Sequence, residues 1–218
     1  MTSSQSPDVR TFKILGKNPQ DSTAYQYIVA NAGLHWYAWA VARQETDRST
    51  TKYNQFNENT ATHNQEPNFG APDGWGMMQL DGARGTPITT QEAWNWKVNV
   101  LGGIRELNTK RGYFNAYLNK IRSVYQAHDP SIWEEPPEYW NAPGSSSIVL
   151  NKEEICTIQM YNGGAIIWIY SDVNGQLHYY ATCLEFNSSN PPGQKWSFVP
   201  NTNHYVEHVI QRYETAPY

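Results

Sequence analysis

The chain is poor in charge, in cysteine and in long apolar runs. Only 17% of its 218 residues are charged, below the roughly 25% of an average soluble domain. Basic residues number 16 and acidic residues 20, for a formal charge of −4. No Lys/Arg cluster is present, so the electrostatic footprint of a nucleic-acid binder is missing. No apolar stretch approaches the roughly 20 residues of a membrane-spanning helix, so no membrane insertion is expected. Two cysteines, Cys156 and Cys183, allow one bridge at most, too little to hold up a fold of this size. The first 20 residues are polar and rich in Ser and Pro, and no classical secretion signal is visible in them. What the chain does have is aromatic rings: 9 Trp, 15 Tyr and 6 Phe. An uncharged polar surface with aromatic patches suits a carbohydrate ligand.

The length gives one medium domain or two small ones. Residues 1–20 read as an N-terminal tail or linker and residues 21–218 as the folded domain. A first helix begins near Asp21 or Ser22, and a second runs from about His35 to Thr46 with Trp36, Trp39 and Ala40 on one face. Residues 49–88 are dense in Asn, Gly, Pro and Thr and read as a long irregular connection, the expected place of a cleft. Thr89 and Glu92 form a capping-box pattern, followed at helical spacing by Trp94, Val98, Leu101, Ile104 and Leu107. The central helix so predicted contains Gly102-Gly103, which implies close approach by another backbone. A helix over about 151–160 leads into Tyr161-Asn162-Gly163-Gly164. Residues 165–183 read as a β-hairpin turning at Asn174-Gly175. A last helix, about 202–214, sets Tyr205, Val206, Val209, Ile210 and Tyr213 on one face.

Two segments carry candidate chemistry. Glu45 lies near a helix C-terminus, with Val41 and Ala42 as apolar neighbours, and both features favour a protonated carboxyl able to act as a general acid. The structural alternative is a helix-end Glu balanced by Arg43 or Arg48. About thirty residues on, Asp73-Gly74-Trp75-Gly76-Met77-Met78-Gln79-Leu80-Asp81 combines glycines that let a backbone approach a ligand, an amide for sugar hydroxyls and two carboxylates. Its alternative is a Gly-rich turn into a buried Met-Met-Leu segment. His204-Tyr205-Val206-Glu207-His208 matches a His-x-x-Glu-His zinc pattern, but no adequate third ligand follows, and two surface histidines are the preferred reading.

Taken together, the segments resemble the goose-type lysozymes and soluble lytic transglycosylases, which cleave the peptidoglycan glycan. Gln44-Glu45-Thr46 is similar to the family's catalytic Glu-Ser element, with Thr46 in place of Ser, and Gly76-Met77-Met78-Gln79 to its Gly-Leu-Met-Gln element. Residues 99–107 resemble the helix behind the site, Met160-Tyr161-Asn162-Gly163-Gly164 the Ala-Tyr-Asn-Ala-Gly element, and 200–213 the last helix.

The resemblance implies a mainly α (α+β), lysozyme-like helical bundle around a central helix with an inserted β-hairpin at about 165–183. It implies a muramidase hydrolysing the bond between N-acetylmuramic acid and N-acetylglucosamine, with Glu45 as the acid. Asp81 and Asp73 would hold the water, although the family's other water-positioning Asp aligns near Gly70. Thr46, Gln79, Tyr161 and Asn162 would contact the glycan strand, with no metal or cofactor. The alternatives are lytic transglycosylation, in which the muramic acid 6-hydroxyl replaces water, and a cell-wall binding module without catalysis. Trp168, Tyr170, Tyr179 and Tyr180 of the hairpin would either widen a sugar-binding wall or only pack. The expected place of action is the periplasm or the extracellular cell wall. With no signal visible, an excised domain or the cargo of a contractile secretion or phage device is expected, and a toxin of that kind would have an immunity protein plugging its cleft.

Overall fold

The structure, a computed structural model, describes residues 13–47, 52–58, 65–82, 87–163, 167–171, 177–181 and 183–218. Among them are six helices and three small antiparallel sheets. None of these helices is long and apolar enough to cross a membrane.

Helix α1 (Asp21–Asn31) buries Ala24 and Ile28, one turn apart, and so uses a single narrow stripe. Helix α2 (Ala38–Thr46) begins three residues later than its sequence pattern suggests, because residues 36–37 form a turn. Its residues Ala38 to Arg43 are all buried. Residues of the expected tail are bonded to the domain. Gly16 N–H donates to Gln65 O at 3.0 Å, and Asn18 is bonded in both directions to the Phe56 backbone, at 2.9 and 2.7 Å. Residues 1–12 lie outside the described set.

The connection expected to be irregular contains a three-stranded sheet of two-residue strands: β1 (Phe69–Gly70), β2 (Gly74–Trp75) and β3 (Leu80–Asp81). Helix α3 (Thr90–Trp94) is opened by the predicted capping box, with both the Thr89 and the Glu92 side-chain bonds made. It stops at Asn95, whose extended backbone breaks the helix and whose side chain caps the next one at Lys97 N–H. That next helix, α4 (Trp96–His128), has 33 residues and is therefore about 50 Å long.

The buried face of α4 differs from the expected stripe. Leu101 is 42% exposed, whereas Asn99, Val100, Gly103, Ile104 and Leu107 are covered. The glycines set this rotation, since they face the Gly-Met-Met-Gln segment. A Cβ on Gly102 would lie 2.5 Å from Leu80 Cδ1, and one on Gly103 would lie 2.4 Å from Met78 Cε. Side chains, not another backbone, occupy the space the glycines leave.

A two-stranded sheet, β4 (Tyr139–Asn141) with β5 (Val149–Asn151), precedes α5 (Lys152–Asn162), which starts with a second capping box, Asn151 with Glu154. Six consecutive residues of α5, Ile155 to Met160, are buried. Helices α2 and α5 are thus more deeply buried along their length than α4, which keeps a polar outer face. The predicted hairpin is the first half of a four-stranded meander: β6 (Ile167–Ser171), β7 (Leu177–Ala181), β8 (Leu184–Asn187) and β9 (Trp196–Phe198). Its Asn174-Gly175 turn, and the side chains of Trp168, Tyr170, Tyr179 and Tyr180, lie outside the described set. Phe186 and Trp196 fix the meander on the far end of α4 by packing against Tyr125 and Trp133.

Cys156 and Cys183 form a disulfide that joins α5 to the start of β8, with Cα atoms 5.3 Å apart. The last helix, α6 (Tyr205–Glu214), buries Tyr205, Val206, Val209 and Ile210, as its spacing predicts.

Candidate active site

Glu45 occupies the last turn of α2 and is half-buried. The balancing partner suggested by the alternative reading is engaged elsewhere. Arg43 is 4% exposed, and it donates to Arg212 O, Thr215 Oγ1 and Ala216 O at 3.2, 2.9 and 2.7 Å and pairs with Asp47 at 3.2 Å. These bonds tie α2 to the end of α6. Arg48 lies outside the described set. Across the α2–α6 contact, the Tyr205 hydroxyl donates to Glu45 Oε1. Sequence reading assigned Tyr205 to an apolar face, and its only signal there is that a tyrosine begins a stripe of aliphatic residues. Burial first, then the charge of Glu45, hold the Tyr205 hydroxyl well above the usual tyrosine range, so it stays a proton donor.

Tyr161 stands beside the same carboxylate. Burial, then the charges of Glu45 and Glu106, hold its hydroxyl well above the ordinary value. Its proton goes to Met78 O at 2.6 Å, so Tyr161 fixes the loop and does not orient Glu45. The hydroxyl bonded to Glu45 is that of Tyr205.

The loop bearing Gln79 and Asp81 is built by register and buried amides. Gly70, Gly74 and Asp81 are direct cross-strand neighbours, as are Phe69, Trp75 and Leu80, and each row shares one face of the small sheet. Over the glycine row folds the Gln79 side chain. Its Nε2 donates to Gly76 O at 2.7 Å, and a Cβ on Gly70 or Gly74 would lie 2.0 or 2.7 Å from its Oε1. These glycines therefore admit the protein's own amide. Gly76, at φ +74°, packs under the amides of Gln55 and Asn99, each 2.5 Å from where a Cβ would be. Asn99 in turn accepts from Met78 N–H at 2.7 Å and donates to Trp75 O and Glu92 O at 2.9 and 3.0 Å.

A groove of about 410 Å³ runs along this loop between α4 and the end of α5. Gln79, Asp81, Tyr161 and Asn162 all line it, so four of the seven predicted residues share one surface. Asn162 also accepts from Asn203 at 3.3 Å. Glu45 is outside the lining and is linked to it through Tyr161. Two predicted residues do not belong there. Thr46 is fully buried and donates to Ala42 O at 2.8 Å, which removes it from any ligand. Asp73 is exposed in the turn before β2 and does not line the groove.

Sequence reading missed Glu106, which lines the groove and pairs at 2.9 Å with the buried Lys110. Glu92 also lines it, but as a capping residue. Bonds from Thr89 and then Arg105 hold its carboxyl below the usual range. Among the described residues no group of three or more His, Cys, Asp or Glu side chains gathers as a metal would require. His204 of the His-x-x-Glu-His pattern precedes α6, with φ 49°, and does not share a helical face with His208.

No family model, curated protein or solved structure matches the chain. A half-buried carboxyl held by a tyrosine hydroxyl, with a polar groove carrying further carboxylates alongside, has the groups that general acid and base work requires.

Proposed function

We propose that the chain is a peptidoglycan muramidase with a lysozyme-like catalytic domain, cleaving the β-1,4 bond between N-acetylmuramic acid and N-acetylglucosamine. One observation carries this reading: a chain of contacts links four segments far apart in sequence, from Glu45 to the groove. Tyr205 holds Glu45, and Tyr161 beside it is anchored on Met78 of the loop that bears Gln79 and Asp81.

In the proposed reaction Glu45 protonates the bridging oxygen as charge develops toward an oxocarbenium ion. Asp81 holds a water on the opposite sugar face, a geometry that in inverting enzymes needs carboxyl groups about 6.5–9.5 Å apart. Asn162 and Tyr161 border the bound strand. The disulfide favours an oxidising compartment, consistent with action in the periplasm or at an extracellular wall. A second reading, lytic transglycosylation, is favoured by the exposure of Asp73 outside the groove. In that chemistry the muramic acid 6-hydroxyl attacks and no water need be held.

Replacing Glu45 with Gln tests the assignment. Cleavage of purified sacculi should fall by at least about a thousandfold while binding to them persists, and unchanged cleavage by the variant would refute it. Mass spectrometry of the products then separates the chemistries, because 1,6-anhydro ends are lighter than reducing ends by one water.

A further inference from the structure

The groove has a neighbour that the proposed reaction does not use. Ile88 lines both it and a second depression of about 720 Å³. The two are also joined across the small sheet, where Leu80 of the groove is the direct partner of Trp75 of the depression. Between them α3 forms a ridge, with Glu92 turned to the groove and Ala93 and Trp94 to the depression.

The walls of the depression are aromatic and open. Trp94 is 36% exposed and backed by the buried Phe56 at 5.9 Å between ring centroids. Trp75 is half-buried and supported by Phe69, itself 48% exposed, at 4.7 Å. Two indoles, each held in place by a second ring, border a space within the roughly 300–1,000 Å³ range of ligand sites. Keeping such rings at the surface is unfavourable unless something covers them.

We propose that this depression is an additional glycan subsite. A strand of N-acetylated hexoses leaving the groove would pass Ile88 and stack on Trp94 and Trp75. The axial C–H groups of a pyranose present an apolar face that matches the face of an indole, while the ring hydroxyls and acetamido groups stay in water or reach the Thr89 and Thr90 side chains at the rim. A glycan is the occupant chosen because the depression continues the groove along two independent paths, the shared Ile88 and the Leu80–Trp75 pair. The identity of the polymer rests on the muramidase reading; the stacking role of Trp94 does not.

The test uses the 218-residue chain carrying Glu45→Gln, which leaves bound sugar intact, titrated by calorimetry with N-acetylglucosamine trimer and hexamer. Adding Trp94→Ala should weaken hexamer binding about tenfold and leave the trimer unchanged, and Trp94→Phe should restore most of the loss. Equal weakening of both oligomers, an unaffected hexamer, or no hexamer binding before the second substitution would overturn the proposal. Failure of the parent chain to cleave sacculi, with the Trp94 dependence intact, would instead count against the muramidase reading alone.

Discussion

Tyr205→Phe isolates the contact on which the proposed acid depends. The ring is 3% exposed, and its helix is fixed independently of the hydroxyl. Asn201 Oδ1 caps the Tyr205 N–H at 2.9 Å, and the Arg43 bonds hold the far end of α6. Phenylalanine should therefore occupy the same volume, and the change amounts to one hydrogen bond removed from a carboxyl. Bonds to charged groups are worth about 1.5–3 kcal/mol. If the bond holds Glu45 in its reactive position, kcat should fall by about ten- to a hundredfold with KM little changed. The limb of the pH–rate profile that reports the Glu45 carboxyl should also move to higher pH, because the lost donor favours the ionised form. A structural role alone would lower the urea midpoint and leave that limb in place. Rates on sacculi across the pH range, beside unfolding curves, distinguish the two. An unshifted limb with unchanged kcat, in a protein that Glu45→Gln inactivates, would refute the positioning role.

Three further outcomes can be checked by urea unfolding. Gly103→Ala sets a Cβ 2.4–2.7 Å from three Met78 atoms, so overpacking of about 1–3 kcal/mol should exceed the helix-propensity gain of about 1 kcal/mol; Gly112→Ala, with nothing within 4 Å, should stabilise by that gain alone. The disulfide spans a sequence separation of 27, so its removal by Cys156→Ser with Cys183→Ser should cost about 3.5 kcal/mol, and an unchanged midpoint would count against a structural bridge. Burial, outweighing the bond to Asn108, holds the His35 imidazole below its ordinary pKa, so the fold accepts the neutral ring. That contribution is complete above the unfolded value of about 6.5 and is lost as pH falls below it toward the folded one; the midpoint should drop between about pH 7.5 and pH 5, and less so in His35→Gln.

Sequence reading succeeds here where the signal is local. The Thr89/Glu92 capping box and the stripe of α6 are formed within a few residues and appear in the structure unchanged. It fails where the outcome depends on a distant partner. Strands of two residues are too short to display an alternation, so the sheet over 69–81 reads as loop. The α4 face is rotated by glycines whose neighbours, Leu80 and Met78, lie about twenty residues away in the chain. Thr46 and Tyr205 exchange their expected roles for the same reason. Next to Glu45 in sequence, Thr46 points inward, whereas Tyr205, a chain length of 160 residues away, reaches the carboxyl.

Met77, Met78 and Leu80 carry the loop into the core, and two buried amides satisfy the main-chain groups that go in with them. Asn99 bonds Met78 N–H, Trp75 O and Glu92 O, while Gln55 bonds Met77 N–H and Ala93 O at 3.0 and 2.6 Å and shares Glu92 O at 3.4 Å. Both side chains are fully buried, and each main-chain group they serve would cost about 1–3 kcal/mol if buried unpaired. Two amides thus bond five backbone groups of the loop and of α3 just behind it. A loop fixed in this way can present Asp81 at the groove, and Met78 O to Tyr161, while its outer surface remains polar enough to meet a hydrated sugar.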